Sequence, residues 1–300
     1  MMKKFSVLLV LLSAAIWGCI GVFVRHLTSL GFNAMQMTAG KCLINAAMML
    51  VLILATGKDR LKVCRKDFPY FLANGILSIF VFNTAYNMAV TMISLSAAVA
   101  LLYTSPAFVM ILSVLFFGEK FTVRKGICLV FCVAGSALAS GITAGIDVSA
   151  AGIAVGLVAG IGYALYSIFS GVILKKYHPF TNVFYTFLIA GTAAALTCDM
   201  GEAVRLCLGS REAMFWMAAS GVVTSFLAYV SYTFALRYLR PSRAAIIASV
   251  EPVVATLAGV FLYHESMSTA GVIGIAMVLS ALVLSNLPAQ PDRQSKDQEV

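Results

Sequence analysis

Charge is what this sequence is short of. Only 11% of its 300 residues are Asp, Glu, Lys or Arg, less than half the share of an ordinary soluble domain. With 61% hydrophobic residues and a mean hydropathy of +0.96, a water-soluble globular domain is excluded. Histidine is equally sparse: His26, His178 and His264 stand alone at the ends of apolar runs, so there is no HExxH zinc site. A G-x-S-x-G elbow and a Walker A loop are also missing, which argues against a hydrolase and against ATP-driven pumping. Neither the charge rings nor the carbonyl-filter motifs of a channel are present. The cysteines at 19, 42, 64, 128, 132, 198 and 207 lack the close pairs of a zinc or redox site. Most read as small apolar helix residues, although Cys198 and Cys207 share one outer loop.

What the chain has instead is apolar length. A helix needs about 20 apolar residues to cross a hydrocarbon core of roughly 30 Å. Ten stretches qualify or nearly so: Phe5–Val24, Met35–Ala55, Phe68–Val90, Ala97–Phe117, Val123–Ala139, Ser149–Leu174, Phe180–Thr197, Ala213–Leu236, Ser242–Tyr263 and Thr269–Leu287. The N-terminus imitates a secretory signal, but its apolar run continues to Val24, long enough to be an uncleaved first span. The net charge of +9 is explained by topology rather than by nucleic acid. With the N-terminus inside, Lys58, Arg60, Lys62, Arg65, Lys66, Lys120, Arg124, Lys125, Lys175, Lys176, Arg237, Arg240 and Arg243 all fall in inner segments, and only Arg25, Arg205 and Arg211 in outer loops. This asymmetry predicts that both termini are cytoplasmic, in a multi-pass protein of the cell membrane.

The chain also repeats itself. Ser96–Thr122 returns as Ser242–Ser268, and the differences Pro252 − Pro106, Glu265 − Glu119 and Ser242 − Ser96 are all 146. The same offset pairs Tyr86 with Tyr232 and Trp17 with Tyr163. Five spans per copy is an odd number, so the second copy enters the membrane from the opposite side, and equivalent loops exchange their positive charge accordingly. The expected architecture is an all-α membrane protein of ten transmembrane helices in two inverted five-helix repeats, residues 1–140 and 149–287. Residues 141–148 form an outer linker and 288–300 a disordered cytoplasmic tail. The outer loop Cys198–Glu212 has room for a short amphipathic helix, and Gly152, Gly156 and Gly160 make a small-residue ridge for close helix packing.

Trp17–Gly18, a basic residue at Lys41, "YTSPAFVMILSVLFFGEKFT" and its second copy "VEPVVATLAGVFLYHESMS" together resemble the EamA type of the drug/metabolite transporter superfamily. The resemblance spans Phe5 to Leu287, and its specific element is the doubled Pro-x(12)-Glu module. It implies a cavity on a pseudo-two-fold axis, opened alternately to each side, and small-molecule transport, often export, with exporters of amino acids among its members. Lys41 stands where the family more often has arginine, so the forked donor that grips a carboxylate bidentately is missing.

Candidate binding residues follow from polarity inside the spans. Lys41 and Glu251 are intramembrane charges, costly enough to suggest function. Each lies eight residues from its own side of the membrane, hence about 12 Å deep and within about 6 Å of the other's depth. Either they hold the two ends of a zwitterion, or they pair with each other or with backbone freed near Pro252. Glu251 is also the candidate carrier of a coupling proton. Asn83, Tyr86 and Asn87 share one helix face, and Tyr229 and Tyr232 repeat it at the 146-residue offset. Tyr163 and Tyr166 form a further stripe, matched by Trp17, and Tyr103 lies equally deep. Pro106 and Pro252 each remove one hydrogen bond and are expected to bend the helix they sit in, which makes them candidate hinges. Glu119 and Glu265 read as caps of the helices that follow them.

The function expected is secondary carriage of small organic solutes, with amino acids or related metabolites exported by alternating access. The alternative is broad efflux of cationic or apolar drug-like compounds, and a polytopic membrane enzyme ranks lower. No catalytic residue, metal or cofactor is expected. The expected partners are a small-molecule substrate, the lipid bilayer and a coupling proton, with a homo-oligomer compatible and nucleic acid not.

Overall fold

The computed structural model describes residues 2–139, 149–264 and 268–287; the expected linker and tail lie outside them. All described elements are helical. In chain order they are α1 (Lys4–Ser29), α2 (Ala34–Thr56), α3 (Phe68–Met92), α4 (Ala97–Phe117), α5 (Val123–Ala139), α6 (Ala150–Ile173), α7 (Pro179–Leu196), α8 (Met200–Gly209), α9 (Arg211–Leu236), α10 (Pro241–Tyr263) and α11 (Thr269–Asn286), with a single 3₁₀ turn at Lys58–Leu61. Eight of these, α1 to α4, α6, α7, α9 and α10, are long and apolar enough to cross a membrane. Helix α5, with 17 residues, and the apolar stretch Thr269–Ser285 of α11 are shorter. Leu8, Leu12, Val51, Leu115 and Val283 are at least half exposed, an outward apolar surface that only lipid would solvate. The chain is therefore a multi-pass membrane protein.

Polar side chains fix where helices begin. Asn33 accepts from the amides of Met35 and Gln36 while the Gln36 side chain accepts from Asn33 N, a complete capping box. Ser94, Ser149, Ser210 and Ser268 each cap by accepting from the amide three residues on. Asp199 caps α8, the short helix that the outer loop has room for.

The 146-residue offset recurs in the backbone. Helix α3 widens into a π-helical stretch at Asn74–Phe80, and α9 does so at Ser220–Leu227. Helix α4 breaks at Tyr103–Thr104, and α10 at Ser249–Val250. Gly118 and His264 both close their helices in the left-handed region, with φ of 61° and 55°. Packing is shared in the same way. Helix α6 lies along α3 and α4 as α1 lies along α9 and α10, α2 packs on α7, and α5 packs on α11. The α5–α11 crossing is a backbone contact: a Cβ on Gly135 would stand 2.8 Å from Gly274 O, and one on Gly274 2.5 Å from Gly135 O. The ridge on α6 behaves likewise, a Cβ on Gly160 falling 2.9 Å from Leu101 O.

Two expectations change. The prolines do not bend continuous helices; Pro106 and Pro252 sit in the first turns of helices that restart at Ser105 and Glu251, where a missing N–H costs nothing. Nor does Glu119 cap α5, since the amide of Lys125 goes to Thr122 Oγ1. The buried Glu119 carboxylate instead accepts from Lys125 Nζ at 2.6 Å and Ser242 Oγ at 2.5 Å, tying α4 to the start of α10. Glu265 lies outside the described residues.

Two outcomes follow. Gly274→Leu should lower stability by about 1–3 kcal/mol through overpacking, whereas Gly21→Leu, with nothing within 4 Å of its Cβ, should leave it within about 0.5 kcal/mol; detergent-state thermal unfolding measures both. His178, just before α7, accepts from Phe180 N, and burial together with Arg60 and Arg237 holds its pKa down at about 4. Because the folded value lies below the unfolded 6.5, this contribution is whole above pH 6.5 and lost as pH falls toward 4. His178→Asn, which caps without titrating, should flatten the stability profile over that window.

Candidate substrate site

Three helix breaks converge on one cavity. Helix α1 is interrupted at Gly18–Cys19, α4 at Tyr103–Thr104 and α10 at Ser249–Val250, and Trp17, Tyr103 and Ser249 all stand in the cavity wall. Gly18 permits the approach: a Cβ there would lie 2.8 Å from Glu251 O and 2.6 Å from Val254 Cβ. The free space is about 30 Å³, about a water molecule's share of the liquid, so the walls lie close together.

Glu251 is the cavity's one formal charge among the described residues. As the first residue of the restarted helix Glu251–Tyr263, it sits at the positive end of that helix dipole. Tyr163 Oη donates to its Oε2 at 2.7 Å, and Tyr103 Oη lies 3.5 Å from Oε1. Trp17 packs against Tyr163, Tyr229 and Tyr232 at centroid distances of 6.2, 4.9 and 5.2 Å. Tyr166 meets Thr233 at 2.6 Å and Ser167 meets Tyr232 at 2.8 Å, pinning α6 to α9. A carboxylate boxed by aromatic faces is suited to a cation, through its charge and through cation–π attraction.

Of the residues singled out from sequence, Trp17, Tyr103, Tyr163, Tyr166, Tyr229, Tyr232, Glu251 and Pro106 line this cavity. Pro252 adjoins it behind Glu251. Lys41, Asn83, Tyr86 and Asn87 do not line it. Lys41 Nζ lies 3.4 Å from Asn83 Oδ1, which also accepts from Thr38, and Asn87 faces Met35 Sδ at 3.8 Å. These residues form a second polar cluster between α2 and α3, and no ion pair joins Lys41 to Glu251. The shared face of the first copy is split: Asn83 and Asn87 turn to α2, while Tyr86 packs beside Phe82.

Sequence reasoning missed Ser78, Ile79, Ser105, Val109, Ala245, Ala248 and Ser249 in the wall. It also missed the buried network that places Ser78, in which Asn74 Nδ2 donates to Asn182 Oδ1 at 3.1 Å and Thr186 Oγ1 at 2.9 Å, and Ser78 Oγ donates to Asn74 Oδ1. A signal was available in Asn74 and Asn182, amides inside apolar runs that lipid cannot satisfy.

A narrow, mostly apolar cavity holding one carboxylate at broken helices, inside a bundle that exposes apolar side chains outward, is the organisation of a membrane carrier. The comparisons agree. The family model described as the EamA-like transporter family matches residues 4–141 and 150–287, and the chain belongs to that family, part of the drug/metabolite transporter superfamily. An uncharacterized transporter of Archaeoglobus fulgidus is 28% identical over 288 residues, covering 92% of this chain and 94% of its own. A second from that organism is 26% identical over 94% and 98%, and the uncharacterized transporter YxxF of Bacillus subtilis is 22% identical over 94% and 90%. One solved crystal structure superposes with a TM-score of 0.78 over 94% of this chain and 97% of its own at 15% identity, a likeness of fold alone.

The α6–α9 bonds are testable as a pair. A double-mutant cycle of Tyr166→Phe with Thr233→Val should return a coupling of about 0.6–1.7 kcal/mol, the range for hydrogen bonds between membrane helices. Zero coupling in thermal unfolding would mean the bond contributes nothing.

Proposed function

We propose that this chain is a secondary-active carrier in the cell membrane that moves small organic solutes bearing a protonated amine. Transport runs by alternating access, and amino acids or related metabolites are exported. The observation that carries the reading is Glu251, a half-buried intramembrane carboxylate whose neighbours are tyrosines and a tryptophan rather than a cation. In this reading α5 and α11 also span, giving ten helices in two inverted five-helix repeats, residues 1–140 and 149–287, with both termini cytoplasmic. The paired backbone features and the exchange of loop charge support that arrangement. The breaks beside Pro106 and Pro252 act as the hinges, since a helix already interrupted can change angle without losing a further backbone bond. Glu251 alternates between a proton and the amine, which couples export to proton entry.

A second reading is efflux of organic cations. It is favoured by the place of Lys41, which leaves the cavity wall without a positive partner for a carboxylate among the described residues.

Liposomes carrying the purified protein, loaded with a mixture of amino acids and simple amines, test both. Amine-bearing solutes should leave faster than from protein-free liposomes, and faster still when an inward proton gradient is imposed. Glu251→Gln should cost roughly thirtyfold or more in flux, as loss of one partner of a buried charge pair does, and should abolish the response to the gradient. Retention of full flux by Glu251→Gln overturns the assignment. Lys41→Ala separates the readings: selective loss of amino acid flux restores Lys41 to substrate contact, and unchanged flux of both classes assigns it to the α2–α3 cluster.

A further inference from the structure

Trp17 is 6% exposed, and its indole Nε1–H has no acceptor. A buried N–H left unpaired costs about 1–3 kcal/mol, and tryptophan buried in a protein ordinarily finds a partner for it. Phenylalanine would supply the ring contacts to Tyr163, Tyr229 and Tyr232 without that cost, so packing does not account for an indole here. None of the nearby acceptors takes it. Glu251 is engaged by Tyr163 and Tyr103, the Tyr232 hydroxyl by Ser167, and the Tyr166 hydroxyl by Thr233. Trp17 also precedes Gly18, whose Cα faces the Glu251 backbone, so the orphan donor and the carboxylate belong to the same small space.

We infer that Trp17 is a second recognition point, donating its indole N–H to an oxygen on the solute whose amine Glu251 holds. This rests on the amine reading above and narrows it: the solute carries a cationic nitrogen and an acceptor oxygen close together, in place of the bare hydrocarbon of an alkylamine. A carboxylate and an amide carbonyl both offer that oxygen. They differ in charge: with Glu251 ionised, an amino amide leaves the site neutral and an amino acid leaves it with one negative charge.

The test is binding to the purified full chain of three probes that share one hydrocarbon side chain and one amine, leucine, leucinamide and 3-methylbutylamine, measured by thermal stabilisation and by competition for flux. Trp17→Phe should weaken the oxygen-bearing probes about tenfold, the worth of one hydrogen bond to a buried donor, and 3-methylbutylamine less than twofold. Loss confined to leucine assigns the carboxylate as acceptor, and loss confined to leucinamide assigns the carbonyl; either supports the inference. Equal loss for all three probes, or none for any, overturns it and makes Trp17 a packing residue whose N–H meets water. A spectroscopic arm avoids substitution at the site: Trp17 and Trp216 are the only two tryptophans, so Trp216→Phe leaves Trp17 as sole emitter. Its fluorescence should move to the red with the oxygen-bearing probes and stay put with the alkylamine; no difference between them counts against the donor. Failure of the parent reading is separate, because Glu251→Gln would then bind all three probes as tightly as the wild type.

Discussion

In hydrocarbon, every backbone amide and carbonyl must find its partner inside the protein. That constraint organises this structure. Helices are the default, and an interruption survives only where it is covered by protein or lines a cavity. The interruptions at Gly18–Cys19, Tyr103–Thr104 and Ser249–Val250 meet at one place, each covered by the others and by the unbroken α6. The cavity is thus a consequence of where the backbone is permitted to stop. Glu251 takes its position from the same rule, since a restarted helix offers unsatisfied amides and a positive dipole end to a carboxylate.

The repeat was readable from sequence because it rests on residues with few substitutes. Pro106 and Pro252, Glu119 and Glu265, and the polar positions of α3 and α9 leave marks that survive divergence. The π-helical stretches left no such mark. Asn74–Phe80 and Ser220–Leu227 begin 146 residues apart and keep Gly75 with Gly221 and Phe80 with Phe226, but that likeness does not signal a π-helix, because an extra residue in a turn is set by packing against neighbours rather than by intrinsic preference. The break in α1 was equally hidden: the equivalent position in α6 is continuous, and only the close seat of Gly18 on α10 accounts for it.

The site was legible in part for a related reason. Polarity within a span says that a residue turns away from lipid, but not which neighbour it turns to. Tyr229 and Tyr232 face the cavity, whereas their counterparts Asn83 and Tyr86 fall outside its wall, and equal depth did not bring Lys41 to Glu251. Depth is one coordinate of three. The angle around each helix is set by close contacts such as Gly221 on Ile44 and Gly75 on Ile189, which no single-sequence pattern encodes. Small wall residues such as Ser78, Ala245 and Ser249 were missed because their part is to leave room.

A cavity with about 30 Å³ of free space is too narrow for an organic solute, so the proposed alternating-access cycle needs the walls to part, and the two ends of the bundle resist parting unequally. At one end α1 meets α9 through His26 and Glu212 at 2.7 Å, and α10 through Arg25 over the Tyr263 ring. The His26–Glu212 pair is more than a third exposed on both sides, and exposed pairs contribute little. At the other end Glu119, 3% exposed at its side chain, is held by Lys125 and Ser242 between α4, α5 and α10. Separating Ser242 and Lys125 from that carboxylate would leave a buried charge with fewer donors, which is costly unless water follows. In the proposed cycle the end holding His26 therefore opens from this arrangement at the smaller electrostatic cost. Opening at Glu119 needs water or a rearranged donor to reach the carboxylate, and the two half-cycles of that proposal are unequal on this account.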